Sequence, residues 1–285
     1  MSDDGPGTLY LLGTPIGHLG DVSDRLREVL ASVAVLACED TRTTRKLLER
    51  FQIRGPKLVA LPSHDEARRA EPILEVLREG RDVGMVSEAG MPVVSDPGAL
   101  LVAGADALGA KVVVVPGPSA VTAALALSAF PGGRFHFLGF LPRKGSDRRE
   151  LIAEAGAWPG TLILFEAPGR LKRTLTDLAE AWGEARGAAL CRELTKKYEE
   201  VRRGSLGSLR DALEEKVRGE ITLVIAPAER HTGPTLSLEE ALERVAVRTA
   251  DGERLKDACR GVAQESGLSS RELYQASLER PVGND

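Results

Sequence analysis

Apolar residues recur along this chain in two alternating rhythms. Short, mostly apolar runs at Leu9–Leu12, Val33–Cys38, Leu58–Leu61, Asp82–Val86 and Lys111–Val115 read as buried strands. Between them the spacing turns helical. Leu26, Val29, Leu30 and Val33 follow Ser23, whose hydroxyl suits a helix N-cap, and Leu47, Leu48 and Phe51 mark the next helix. This alternation predicts an α/β fold with a mostly parallel sheet covered on both faces. Pro131-Gly132-Gly133 breaks the register, and a second α/β set follows. Its strands are expected at Phe135–Leu141, Thr161–Phe165, Ala188–Arg192 and Ile221–Ala226, with Tyr198–Leu206 as a further extended segment. Helices are expected at Leu171–Trp182 and Leu209–Val217. Thr232-Gly233-Pro234 reads as a linker, beyond which the pattern is purely helical. There Leu255–Gln264 and Ser270–Leu278 flank the turn Gly267-Leu268-Ser269 and resemble a helix-turn-helix, with Leu255, Val262, Leu268 and Leu273 as its core. The expected domains are thus 1–131, 132–230 and a helical extension at 231–285.

Composition narrows the partners. The chain has 285 residues, 42% of them hydrophobic, enough for two α/β cores. Its formal net charge of -4 gives no global basic field, so a polyanion has to be met by a local patch. Arg134, Arg143, Lys144, Arg148 and Arg149 form one candidate, opposed only by Asp147; Lys196, Lys197, Arg202 and Arg203 form a second, diluted by Glu199 and Glu200. From Lys256 to Arg280 acidic and basic residues balance, which makes the terminal helices a weak phosphate binder. Three scattered cysteines define neither a disulfide framework nor a zinc site; Cys38 and Cys191 belong in the core. No apolar run approaches the roughly 20 residues that span a bilayer, and the acidic N-terminus lacks a secretory pattern. A soluble, cytoplasmic protein is expected.

The candidate chemistry sits in loops after strands. Gly13-Thr14-Pro15-Ile16-Gly17 matches neither the dinucleotide nor the phosphate-loop fingerprint. Ser87-Glu88-Ala89-Gly90-Met91-Pro92 runs on to Asp96-Pro97-Gly98, and Pro116-Gly117-Pro118-Ser119-Ala120 follows another strand. Loops leaving the carboxyl ends of strands in an open α/β sheet converge on one crevice. Gly and Pro there let the backbone approach a ligand closely.

Five runs in order, Thr14-Pro15-Ile16-Gly17, Glu39-Asp40-Thr41-Arg42, Asp96-Pro97-Gly98, Pro116-Gly117-Pro118-Ser119 and Arg192-Glu193-Leu194-Thr195-Lys196, carry a resemblance. They resemble the ribosomal RNA small subunit methyltransferase I family of the tetrapyrrole-methylase superfamily, over roughly residues 8–226. The resemblance implies two α/β domains with S-adenosylmethionine in the cleft between them. It implies methyl transfer to the ribose 2′-hydroxyl of a cytidine in 16S rRNA of the small subunit, by a homodimer. The implied cofactor contacts are Ser87, Glu88, Gly90, Pro92, Ser119 and Ala120, with Glu166, Leu194 and Glu220 from the second domain. The family pattern has Asn at His18, Asn at Asp65, Asp at Glu88, Thr at Met91 and often His at Gly169.

A ribose hydroxyl is a weak acid, so transfer to it calls for a proton acceptor or a nearby cation. Asp40 is the expected acceptor or hydroxyl orienter, Arg42 a phosphate contact, and Lys196 a cation lowering the hydroxyl pKa. The bland alternative is a polar helix start and a surface lysine. Thr14, His18, Arg143, Lys144, Arg148 and Arg149 are the expected RNA-side residues, and Thr14–Gly17 the floor of the cleft there. His64 is a further candidate contact or a solvent-facing residue. A tetrapyrrole or corrinoid carbon methyltransferase and a non-catalytic RNA-binding assembly factor are the competing readings, because fold does not fix substrate.

Overall fold

A computed structural model describes residues 5–214, 216–228, 236–266, 268 and 270–279. The first half alternates strand and helix: β1 (Leu9–Leu12), α1 (Asp24–Ser32), β2 (Val35–Cys38), α2 (Thr41–Arg50) and β3 (Lys57–Ala60). It continues with α3 (Glu66–Arg78), β4 (Val83–Val86), α4 (Ala99–Ala107), β5 (Val112–Val115) and α5 (Ala120–Ser128). Its five strands are all parallel, in the order β3-β2-β4-β1-β5. A parallel sheet needs both faces covered, and β2 and β4 are buried throughout. Ser23 caps α1 as its position predicts, accepting from the Leu26 N–H at 3.1 Å.

The second half comprises β6 (Phe135–Phe140), α6 (Ser146–Gly156), β7 (Thr161–Glu166) and α7 (Leu171–Trp182). Then come β8 (Gly187–Arg192), β9 (Glu200–Ser205), α8 (Leu206–Asp211) and β10 (Ile221–Ile225). The sheet order is β6-β7-β10-β8-β9, and only β6 and β7 run parallel. The expected helix at Leu209–Val217 is instead α8, shorter and displaced toward the N-terminus. Ser205 and Ser208 form a reciprocal capping box that starts it at Leu206.

α5 leads from the first sheet to the second and packs on the second. Its Val121 and Ala124 pack with Ile163 of β7, Ala189 and Cys191 of β8 and Val224 of β10. Small residues on this helix allow the close approach. Cys38 and Cys191 are both buried in their strands, as expected. The chain forms two compact units: both sheets belong to the one ending at Pro227, and the other begins at Ala228. In the latter, α9 (Leu238–Ala250), α10 (Leu255–Ser266) and α11 (Ser270–Glu279) enclose a core that includes Val245, Cys259, Val262 and Leu273. The expected linker Thr232–Pro234, and Gly267 and Ser269 of the expected turn, lie outside the described residues. Among the described residues no helix is long and apolar enough to cross a membrane.

Candidate active site

The carboxyl ends of the parallel strands carry the loops singled out in the sequence. Beyond β1, the Thr14 and Gly90 backbones exchange two hydrogen bonds of 2.9 and 3.1 Å, which zip the first loop to the one after β4. Ser87 stiffens that loop from within, its hydroxyl donating to the Ala89 and Gly90 carbonyls at 3.3 Å. Gly13 and Gly117 stack backbone on backbone, and a Cβ at Gly13 would lie 2.5 Å from the Gly117 nitrogen, so neither position admits a side chain. Gly17 lies against the loop after β8, where a Cβ would strike Lys196, Thr195 and the Leu194 carbonyl. The His18 N–H donates to Thr195 Oγ1 at 3.0 Å across the same seam.

Two adjoining pockets result. The inner cleft, about 380 Å³, lies between the Glu88–Asp96 loop, the start of α5, and the ends of β6, β7 and β10 that carry Phe140, Phe165 and Ile221. The outer pocket, about 450 Å³, is lined by Thr14–Gly17, by one face of α2 and by Lys196. Ile16, Glu88, Ala89 and Glu220 border both.

Carboxylates set the electrostatics. Asp96 is pushed up to about 6, chiefly by burial; the charges of Glu39 and Glu88 add to the rise and a hydrogen bond with Ser87 opposes it. Glu39 is also raised, first by burial and then by Glu88 and Asp40. Lys196 lies 2.9 Å from Glu220 and 3.0 Å from Glu193. Burial opposes its charge, but these two partners outweigh it and raise its pKa. The backbone stores strain beside both pockets: Val93, Ser95, Glu193 and Thr195 have φ of 74°, 66°, 51° and 62°. Such non-glycine conformations cost of order 1–3 kcal/mol each and cluster at ligand sites.

The sequence profile of the Tetrapyrrole (Corrin/Porphyrin) Methylases matches residues 8–210. A protein of Mycobacterium tuberculosis named ribosomal RNA small subunit methyltransferase I is 45% identical over 275 residues, 96% of this chain and 95% of that one. The chain belongs to this family. A member from Synechocystis sp. is 40% identical over 96% of this chain and 98% of its own length. The fold is shared with a diphthine synthase (TM-score 0.62, 17% identity, covering 77% of this chain and 90% of that one). It is shared too with a Thermus thermophilus uroporphyrin-III C-methyl transferase complexed with S-adenyl homocysteine (TM-score 0.57, 18% identity, 77% and 97% covered).

The residues matched to the ribosomal RNA small subunit methyltransferase I pattern divide into three groups. Glu88, Gly90, Ser119, Ala120, Glu166 and Glu220 line the inner cleft, and Thr14, Ser87 and Lys196 the outer pocket. Pro92 and Leu194 are buried and line neither; Leu194 packs in the core beneath α5. Glu166 borders the cleft, but its carboxylate is committed elsewhere. It accepts from the Ala167 N–H at 2.7 Å and from Thr174 at 2.5 Å, and pairs with Arg170 at 2.9 Å.

The structure commits some of the expected residues elsewhere, Asp40 and Arg148 most plainly. Asp40 is the N-cap of α2: its Oδ1 accepts from the Arg42 N–H at 2.7 Å, and its carboxylate pairs with the Arg42 guanidinium at 2.8 Å. Those hydrogen bonds hold its pKa at about 2, so it is a very weak proton acceptor, and Arg42 is already engaged. Arg148 is not an RNA contact. It is 3% exposed and bonds Asp177, Thr174 and the Pro142 carbonyl at 2.7, 3.0 and 3.1 Å. Arg143, Lys144 and Arg149 are exposed but line neither pocket. The His18 ring accepts from the Gly20 N–H at 3.1 Å and so caps its own turn. His64, exposed after β3, lines neither pocket. Glu39 and Asp96 were not among the expected site residues, although both stand in runs that carry the resemblance. What raises their pKa is burial and a neighbourhood assembled from two loops, those after β2 and β4.

Proposed function

We propose that the chain is an S-adenosylmethionine-dependent methyltransferase that modifies the ribose 2′-hydroxyl of a cytidine in 16S rRNA. One observation carries this reading: two pockets of different character share the Glu88–Glu220 border. The inner one suits the cofactor. Its volume falls within the usual small-molecule range, its aromatic and aliphatic walls suit an adenine, and Glu88 and Asp96 complement a cationic ligand. Residues in the Ser87–Gly90 and Ser119–Ala120 loops would hold it, with Glu220 opposite. When bound, S-adenosylmethionine supplies an electrophilic methyl group on a sulfonium.

The outer pocket then receives the RNA, as membership in the ribosomal RNA small subunit methyltransferase I family supports. The chain's own task is to align the hydroxyl and accept its proton. We assign the acceptor to the Glu39–Glu88–Asp96 carboxylate group, of which Glu88 borders both pockets and Asp96, pushed up to about 6, is the strongest base, rather than to Asp40 near 2. Lys196 would be a charged neighbour that positions Glu220 and Glu193. The small ribosomal subunit, in the cytoplasm, is the proposed setting. A second copy of the chain is the proposed partner of the exposed apolar residues Val114, on edge strand β5, and Phe135, on edge strand β6.

The test is incubation with methyl-labelled cofactor and small subunits from a strain lacking this modification. Label is expected in a ribose of 16S rRNA. Label only in an added tetrapyrrole would overturn the reading, and no binding of the cofactor by calorimetry would overturn any methyltransferase reading.

A further inference from the structure

α2 presents two faces of opposite purpose. Leu48 is buried in the first sheet's core and Thr44 is buried at the pocket's edge, whereas the less buried Thr43, Lys46, Leu47 and Arg50 line the outer pocket. Their spacing of i, i+3, i+4 and i+7 places them on a single helical stripe. Lys46 and Arg50 are exposed, and among the described residues neither has a carboxylate within 4.0 Å. The neighbouring cations are differently placed. Arg42 is tied to Asp40, and Lys196 is held by Glu193 and Glu220. The unneutralised positive charge at this pocket therefore resides on Lys46 and Arg50.

We propose that this stripe of α2 is the docking face for the RNA backbone, with Lys46 and Arg50 each holding a phosphate beside the nucleotide whose ribose enters the pocket. The inference rests on the rRNA reading above and deepens it. Four residues of helix rise about 6 Å, comparable with the step between successive phosphates of a single strand. Leu47, between the two cations, offers an apolar surface to a sugar or base edge, and the Thr43 hydroxyl a further hydrogen bond. Arg and Lys contacts of this kind fix register without reading sequence. The face is reached from solvent at the same mouth as the pocket, so the phosphates and the target hydroxyl are recognised together.

The experiment measures binding of small ribosomal subunits to the full chain over a series of salt concentrations, separately from methyl transfer. The double variant Lys46→Gln/Arg50→Gln should bind about tenfold more weakly at moderate salt, and the slope of log affinity against log salt should fall by about 1.4–1.8, two phosphates' worth. Its thermal midpoint and its affinity for S-adenosylmethionine should match the wild type, which separates lost docking from misfolding. Wild-type affinity and slope in the double variant would overturn the docking face. So would a triple variant, Arg143→Gln/Lys144→Gln/Arg149→Gln, that abolished the slope while the double variant kept it. A wild type that binds with the predicted α2-dependent slope but labels no rRNA would support the docking face and overturn the catalytic reading instead.

Discussion

At the scale of single residues, the same chemical group does different work according to its neighbours. Asp40 and Asp96 are both aspartates near a strand end, yet one is held at about 2 by Arg42 and the other pushed up to about 6 by burial and nearby carboxylates. Asp96 gives a pH prediction with a definite sign. Unfolded, its carboxyl titrates near 3.8, so between about 4 and 6 the unfolded chain has lost a proton that the folded chain keeps. The Asp96 contribution to stability therefore falls as pH rises through this window and stays low above it. Asp96→Asn should remove that part of the slope in urea unfolding measured from pH 4 to 7. It should also remove an acid limb near pH 6 in the transfer rate; an unchanged limb would exclude Asp96 as acceptor. Asp40→Asn should retain the helix cap, since Asn caps as well as Asp, and Asp40→Ala should lower the unfolding midpoint without moving the limb.

At the scale of elements, a polar network ties α6 and α7 to the second sheet. Arg148 of α6 bonds Asp177 and Thr174 of α7, and Thr174 in turn donates to Glu166 at the end of β7. Arg148 is buried, but Asp177 is partly exposed and keeps Arg173 at 3.8 Å, so Arg148→Ala, which removes the bonds to Thr174 and the Pro142 carbonyl, should cost about 1–3 kcal/mol in chemical denaturation. A surface arginine would cost almost nothing. The buried role was legible in part: Arg148, Ile152 and Ala155 share the inward stripe of α6, a periodicity the charge run around Arg143 obscures. The first sheet was legible almost strand for strand, because parallel strands buried on both faces read as apolar runs. Strand direction in the second sheet was not, since period-two patterning carries no polarity and the Glu200–Ser205 edge is largely polar. The Glu39–Glu88–Asp96 neighbourhood was beyond reach for a different reason: two loops far apart in sequence, those after β2 and β4, create it.

At the scale of the whole α/β unit, the cleft belongs to both sheets at once. Ser119 and Ala120 line it or lead into α5, whose other face is packed against β7, β8 and β10. Cofactor at one hundred times its dissociation constant should therefore stabilise both sheets together, by about 2.7 kcal/mol. Differential scanning should show one shifted transition for this unit, and hydrogen exchange should slow in β10 as well as in the Ser87–Pro92 loop. A shift confined to one sheet would contradict the coupling. The cluster that α5 forms with the second sheet and Ile16 has a kinetic consequence. Widening the cleft by rotating one sheet from the other would pull Ile16, in the loop after β1, out of the buried cluster it shares with Val121, Ala124 and the second sheet, which opposes such a motion. The exposed Val94–Ser95 stretch of its rim is then the expected place of entry and release, a loop moving on a firmer frame.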